Sequence, residues 1–154
     1  MRSQDEEKLH AALNDLLLCH IVADKSVMGR HGLRRVRFYM LRHLYQNPGI
    51  SPTRLSELSF ADAGSISRMI FGFEKEGMVE RQPEGEDRRK YVLSLTATGK
   101  AFYEKVEAEL TADIQKRFSR FETEQLHDIL QRVQTLSDAI MQSIHSKNET
   151  GVTS

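Results

Sequence analysis

The chain has 154 residues, 29% of them charged and 39% hydrophobic, with a formal net charge of zero; this suits one small domain with helical arms, long enough to bury a core. No apolar run can span a bilayer, and the polar, acidic start Met1-Arg2-Ser3-Gln4-Asp5-Glu6-Glu7-Lys8 does not read as a secretory signal, so no membrane partner and a cytoplasmic location are expected. A single cysteine, Cys19, excludes an internal disulfide and any Cys-x-x-Cys metal site within one chain.

Leu9, Leu13, Leu16, Leu17 and Ile21 recur at helical spacing and predict a first helix over about residues 3–28, ended by Gly29 and Gly32. A second helix is expected over about 33–46, with Phe38, Leu41, Leu44 and Tyr45 as its apolar stripe and Asn47-Pro48-Gly49 as its stop. Ser51-Pro52 is an N-cap followed by proline at the first helical position, opening a short third helix through Leu55 and Leu58. After a turn at 59–64 carrying Asp62, a fourth helix buries Ile66, Met69, Ile70 and Phe73, turns Ser65, Ser67, Arg68 and Lys75 outward, and ends at a left-handed Gly77. Residues 78–81 and 90–95 read as two strands joined by a long polar tip at 82–89. Thr96 caps a long helix with Phe102, Val106, Leu110, Ile114 and Phe118 at every fourth position. Glu122 begins another, with Leu126, Ile129, Leu130, Val133, Leu136, Ile140 and Ile144 on one side, before a polar, frayed tail.

The zero net charge hides an uneven distribution. Residues 1–28 carry three Lys/Arg against five Asp/Glu, residues 29–95 twelve against eight, and residues 96–154 seven against nine. A basic middle between acidic flanks suits a protein that presents one face to phosphates. On a helix entering a major groove, the short or forked side chains of Ser65, Ser67 and Arg68 are of the kind that read base edges, with Arg commonly on guanine. Taken alone, Ser-x-Ser-Arg is a very weak signal and reads sooner as a solvated face of an amphipathic helix. Behind it, Arg88, Arg89 and Lys90 on a flexible hairpin tip can enter a minor groove or bridge phosphates, and Asp87 can hold a neighbouring Arg extended. The bland reading of that tip is a loop partly neutralised by Glu84, Glu86 and Asp87. Ser51, Arg54 and Lys90 are further candidates for phosphate contacts.

The segments Ile66-Ser67-Arg68-Met69-Ile70, Glu74-Lys75-Glu76-Gly77-Met78-Val79-Glu80-Arg81, Glu86-Asp87-Arg88-Arg89 and Leu95-Thr96-Ala97-Thr98-Gly99-Lys100 closely resemble the MarR family of winged-helix transcriptional regulators. The resemblance is sharpest over residues 51–100, and the helix layout agrees over nearly the whole chain. It implies a mainly α fold with a small β-hairpin wing, a winged helix-turn-helix dimerised through N- and C-terminal helices. Residues 1–32 and 96–146 would form the dimerisation region, 33–95 the DNA-binding lobe and 147–154 the tail. It also implies a recognition helix at 63–76, wings on the minor groove, and control by a small molecule, an oxidant or a metal. The expected partners are thus a second copy of the chain, a pseudo-palindromic double-stranded DNA operator and a small-molecule effector, with no required cofactor. Two departures stand out. Phe71-Gly72 replaces the polar residues common after the apolar pair of the recognition helix, and a mid-helix glycine costs roughly 1 kcal/mol relative to alanine, so a local need for space or a bend is expected there. Phe60 replaces a small turn residue.

Other features are read more blandly. Cys19 invites a thiol-sensor reading, but Leu16, Leu17, Leu18 and Ile21 around it make an inert core thiol the expectation. His20 and Asp24 have the spacing of a helical ligand pair without further ligands around them, so no metal site is assigned. Arg30, Arg34, Arg35 and Arg37 form either a phosphate- or acid-binding cluster or a solvated basic face. With no phosphate-binding glycine loop, nucleophile elbow or paired-carboxylate motif, no enzyme is expected. The leading reading is a dimeric, sequence-specific DNA-binding transcriptional regulator, a repressor released by a small molecule. The alternatives are an oxidant sensor using Cys19 and a winged helix that binds another protein.

Overall fold

The computed structural model describes residues 2–59, 61–84 and 87–150, and the side chains of all of these except 2, 87–89 and 145–150. The described chain runs α1 (Arg2–Arg30), α2 (Arg35–Gln46), α3 (Pro52–Ser59), α4 (Ala63–Lys75), β1 (Val79–Glu84), β2 (Asp87–Leu95), α5 (Ala97–Phe118) and α6 (Thr123–Thr150). It divides into two compact units, Met1–Ala112 and Asp113–Ser154. The fold is mainly helical with a two-stranded antiparallel hairpin, as expected.

In the first unit the core collects one stripe from each element. Phe38, Met40, Leu41 and Leu44 come from α2, Leu55 from α3, Ile66, Ile70 and Phe73 from α4, Val79 and Leu93 from the hairpin, and Tyr103, Val106 and Leu110 from α5. The helix α1 adds only its C-terminal end, Val27 and Met28. The α2 helix stops at Asn47-Pro48-Gly49, and the chain then joins the hairpin: the Gly49 N–H donates to the Leu93 carbonyl at 3.0 Å, and the Leu93 N–H to the Ile50 carbonyl at 2.8 Å. At the start of α3 the Ser51 hydroxyl accepts the Arg54 N–H at 3.2 Å, the capping role expected of it.

The end of α4 and the start of α5 are built as one joint. Gly77 takes φ +67°, the left-handed conformation that glycine adopts without strain. The Met78 N–H then reaches back to the Phe73 carbonyl at 2.9 Å, closing the helix end. The Thr96 hydroxyl donates to the Gly77 carbonyl at 2.6 Å and accepts the Gly99 N–H at 3.1 Å, so one side chain caps α5 and pins it to the root of the hairpin. A Cβ on Gly99 would lie 2.0 Å from the Met78 carbonyl oxygen. The Leu-Thr-x-x-Gly pattern therefore records a close approach of helix to turn.

The second unit holds the last turn of α5 and α6. Phe118 and Phe121 approach with ring centroids 6.0 Å apart, and the Glu122 N–H donates to the Gln125 side chain at 2.9 Å near the start of α6. Leu126, Ile129, Leu130, Val133 and Ile140 are exposed along that helix.

Three expectations change. The strands run further into the loop than sequence patterning suggests, because Gln82 pairs with Val92, Pro83 with Tyr91 and, past an irregularity, Glu84 with Asp87. The helix α6 continues to Thr150, past the expected start of a frayed tail. Gly72 lies in an unbroken α4, and an added Cβ would meet only the Arg37 guanidinium at 3.5 Å, an ordinary contact, so no local need for space or a bend is found. Phe60 lies outside the described residues.

Two glycine substitutions should thus act in opposite directions. Gly72→Ala is expected to raise stability by up to about 1 kcal/mol. Gly99→Ala should lower it by about 1–3 kcal/mol or block folding; denaturant midpoints of the two variants check both.

Candidate nucleic-acid interface

The burial of Ile66, Ile70 and Phe73 determines which way α4 faces, and leaves Gly64, Ser67, Arg68, Phe71 and Lys75 exposed on the opposite side. Its N-terminus is capped by Asp62, which accepts the Ser65 N–H at 2.8 Å and the Ser65 hydroxyl at 2.6 Å. These hydrogen bonds hold the Asp62 carboxyl below its usual range. Ser65 is half-buried in this cap, with the Arg68 guanidinium 3.4 Å from its hydroxyl. Ser67 and Arg68 point into solvent at the N-terminal end of the helix.

The acidic residues at the other end of α4 are each held by an arginine. Glu76 accepts from Arg37 at 2.5 Å, and the Arg37 guanidinium lies 4.2 Å from the Phe73 ring centroid. Glu74 accepts from Arg81 of β1 at 2.6 Å, and Arg81 stacks 4.5 Å over Tyr91 of β2. The Arg81–Glu74 pair joins the hairpin to the helix before it. Sequence reading did not single out this pair, the Asp62 cap or the exposure of Phe71. The seven-residue step from Glu74 to Arg81 across a glycine turn carried no pattern that marked a contact.

Other candidates separate clearly. Arg54 of α3 is exposed and paired with Glu57 at 2.8 Å, and Lys90 is exposed on β2. The backbones of Asp87, Arg88 and Arg89 belong to β2, while their side chains lie outside the described residues. In the basic cluster between α1 and α2 three of the four arginines are engaged by carboxylates, while Arg30 and Arg34 remain exposed. Arg30 pairs with Glu109 at 3.1 Å, Arg35 with the buried Asp24 at 3.4 Å, and Arg37 with Glu76; Arg34 is exposed at the start of α2. His20 also contacts Asp24, at 3.3 Å, so that carboxylate ties α1 to α2. Cys19, expected in the core, is exposed, because only the last turns of α1 pack into the first unit.

A capped helix following a short helix, with a hairpin tied to its C-terminal end and a face bearing Ser67, Arg68 and Lys75, defines a winged helix-turn-helix of the DNA-binding kind. Residues 31–90 match the sequence model of the MarR family. The homoprotocatechuate degradative operon repressor of Escherichia coli is 23% identical over 128 residues, 81% of this chain and 86% of that protein. Among solved structures, a MarR transcriptional regulator from Methanosarcina mazei superposes with a TM-score of 0.74 at 25% identity, covering 88% of this chain and 98% of that one. A mutant Escherichia coli MarR complexed with operator DNA does so at 0.70 and 18%, covering 84% and 93%. Over residues 31–90 the chain is thus similar to the MarR family, and its fold is that of solved MarR regulators. Among the described residues, no helix is long and apolar enough to cross a membrane.

The Asp62 cap predicts a pH signature. A carboxyl whose folded pKa lies below its unfolded value stabilises above that value, and the contribution is lost as pH falls through the folded one. Wild type should therefore lose stability below the ordinary value of 3.8 more steeply than Asp62→Asn, which keeps an acceptor but does not titrate. Urea midpoints measured from about pH 5 to pH 3 test this.

Proposed function

We propose that the chain acts as a homodimeric repressor that binds a pseudo-palindromic operator through two copies of α4 and is released by a small-molecule effector. The observation that carries this reading is the outward face of α4. Ser67, Arg68 and Lys75 stand exposed there while the nearby Glu74 and Glu76 are neutralised by Arg81 and Arg37. Such a face attracts phosphates and offers base edges a forked donor. Arg68 reads or positions bases, Ser65 and Ser67 accompany it, and Asp87, Arg88 and Arg89 supply the wing contacts. Ser51, Arg54 and Lys90 stand beside these as phosphate contacts.

Dimerisation is supported by the apolar side chains left in water. Leu9, Leu16, Leu17 and Leu18 on α1 and Leu126, Ile129, Leu130 and Val133 on α6 are exposed in the single chain, and covering each is worth roughly 1.5–3 kcal/mol. A second copy is the occupant available at every concentration of the protein. With two-fold symmetry the half-site centres lie roughly 10 bp apart. Repression is supported by the name of the Escherichia coli relative, and operator binding by the operator-bound neighbour. An effector releases DNA by binding one spacing of the two lobes better than the other.

Gel shifts across a salt series test this reading. The protein should bind nonspecific duplex at low salt with steep salt dependence. Arg68→Ala should cost roughly 1–3 kcal/mol on the selected sequence and relax its preference, whereas Arg89→Ala should weaken binding across sequences and flatten the salt slope by about one phosphate. A protein that ignores duplex DNA at low salt is instead a winged helix that binds another protein.

The exposed thiol of Cys19 favours one second reading, control by oxidation. Under the leading reading, peroxide leaves DNA binding unchanged in wild type and in Cys19→Ser alike. Loss of binding in wild type alone, with a mass increase on Cys19, selects the sensor.

A further inference from the structure

We propose that Phe71 is a specificity-determining residue, its ring reading thymine methyl groups in the major groove. The inference rests on the DNA-binding reading above and deepens it. Phe71 is 55% exposed in the middle of α4, a cost that its own core does not require, since Ile66, Ile70 and Phe73 already fill the buried side. It lies one turn beyond Ser67 and one turn before Lys75, on the sector opposite those three residues.

The surroundings of the ring favour DNA over a protein partner. The Lys75 ammonium sits 4.5 Å from the ring centroid, close enough for a cation–π contact that orders the ring and places a positive charge beside it. Arg68 is exposed on the same side. Glu74 and Glu76 are drawn off to Arg81 and Arg37, so the apolar ring is bordered by cations whose natural complement is phosphate. Within a major groove, the apolar group available to a ring at this position is the C5-methyl of thymine. Gly72 beside it adds no side chain that competes for the groove.

The test uses the full-length chain and duplexes it selects from a random pool. Deoxyuridine replaces each thymine of a half-site in turn, which removes the methyl and leaves the pairing edge intact. Wild type should lose about fourfold in affinity for each methyl contacted. Phe71→Ala should bind the thymine and deoxyuridine duplexes equally while keeping wild-type affinity for nonspecific duplex at low salt; Phe71→Leu should keep part of the discrimination. A deoxyuridine penalty of the same size in wild type and Phe71→Ala, or no penalty in wild type, overturns the assignment and leaves DNA recognition standing. If nonspecific affinity falls with Phe71→Ala while its melting temperature is unchanged, the ring serves general docking, and the assignment is likewise overturned. Failure to select any duplex overturns both the assignment and the regulator reading beneath it.

Discussion

The burial of Ile66, Ile70 and Phe73 is the constraint on which the interface depends. Each side chain is almost wholly removed from water, a contribution of roughly 1.5–3 kcal/mol apiece. Exposed ion pairs contribute about 0–1 kcal/mol, so the apolar triad, not the charges, sets the rotation of α4. Once that rotation is set, Arg68, Phe71 and Lys75 have no alternative but to face outward. The Asp62 cap then holds the first turn, where the base-reading side chains of such a helix must sit.

Around this helix the charges are sorted by pairing. A neutral chain offers little long-range attraction to DNA, but the local field depends on which groups are neutralised by neighbours. Arg30, Arg35, Arg37 and Arg81 each engage a carboxylate from a different segment. Two of these pairs, Arg37 with Glu76 and Arg81 with Glu74, neutralise the acidic groups at the C-terminal end of α4. Arg68, Lys75 and Lys90 stay exposed. The result is a positive face obtained without a positive protein.

The hairpin is held from both ends of its root. Arg81 spans to Glu74 and stacks on Tyr91, joining wing to recognition helix. Thr96 and Gly99 join the wing to α5 through the Gly77 and Met78 carbonyls. A displacement of α5 would therefore be felt directly at the wing root, through backbone contacts rather than through flexible side chains.

Much of this was legible in the residues themselves. Apolar spacing located every helix, Gly77 marked the end of α4, Ser51-Pro52 marked the start of α3, and Ile66, Ile70 and Phe73 identified the buried side, because those signals are local and depend on period and backbone preference. Strand length escaped it, since Gln82-Pro83-Glu84 shows no alternation and owes its extended form to pairing with β2. So did the exposure of Cys19, because a stripe is buried only if something packs on it, and α1 contributes only its last turns to the core of the first unit. The partners of Arg30 and Arg37 stand 79 and 39 residues away, a separation no local pattern reports. The sequence by itself thus determined the helices, their ends and the buried side of α4. Only the tertiary structure decided which charges remain open and that Phe71 lies among them, because both depend on side chains brought together from distant segments.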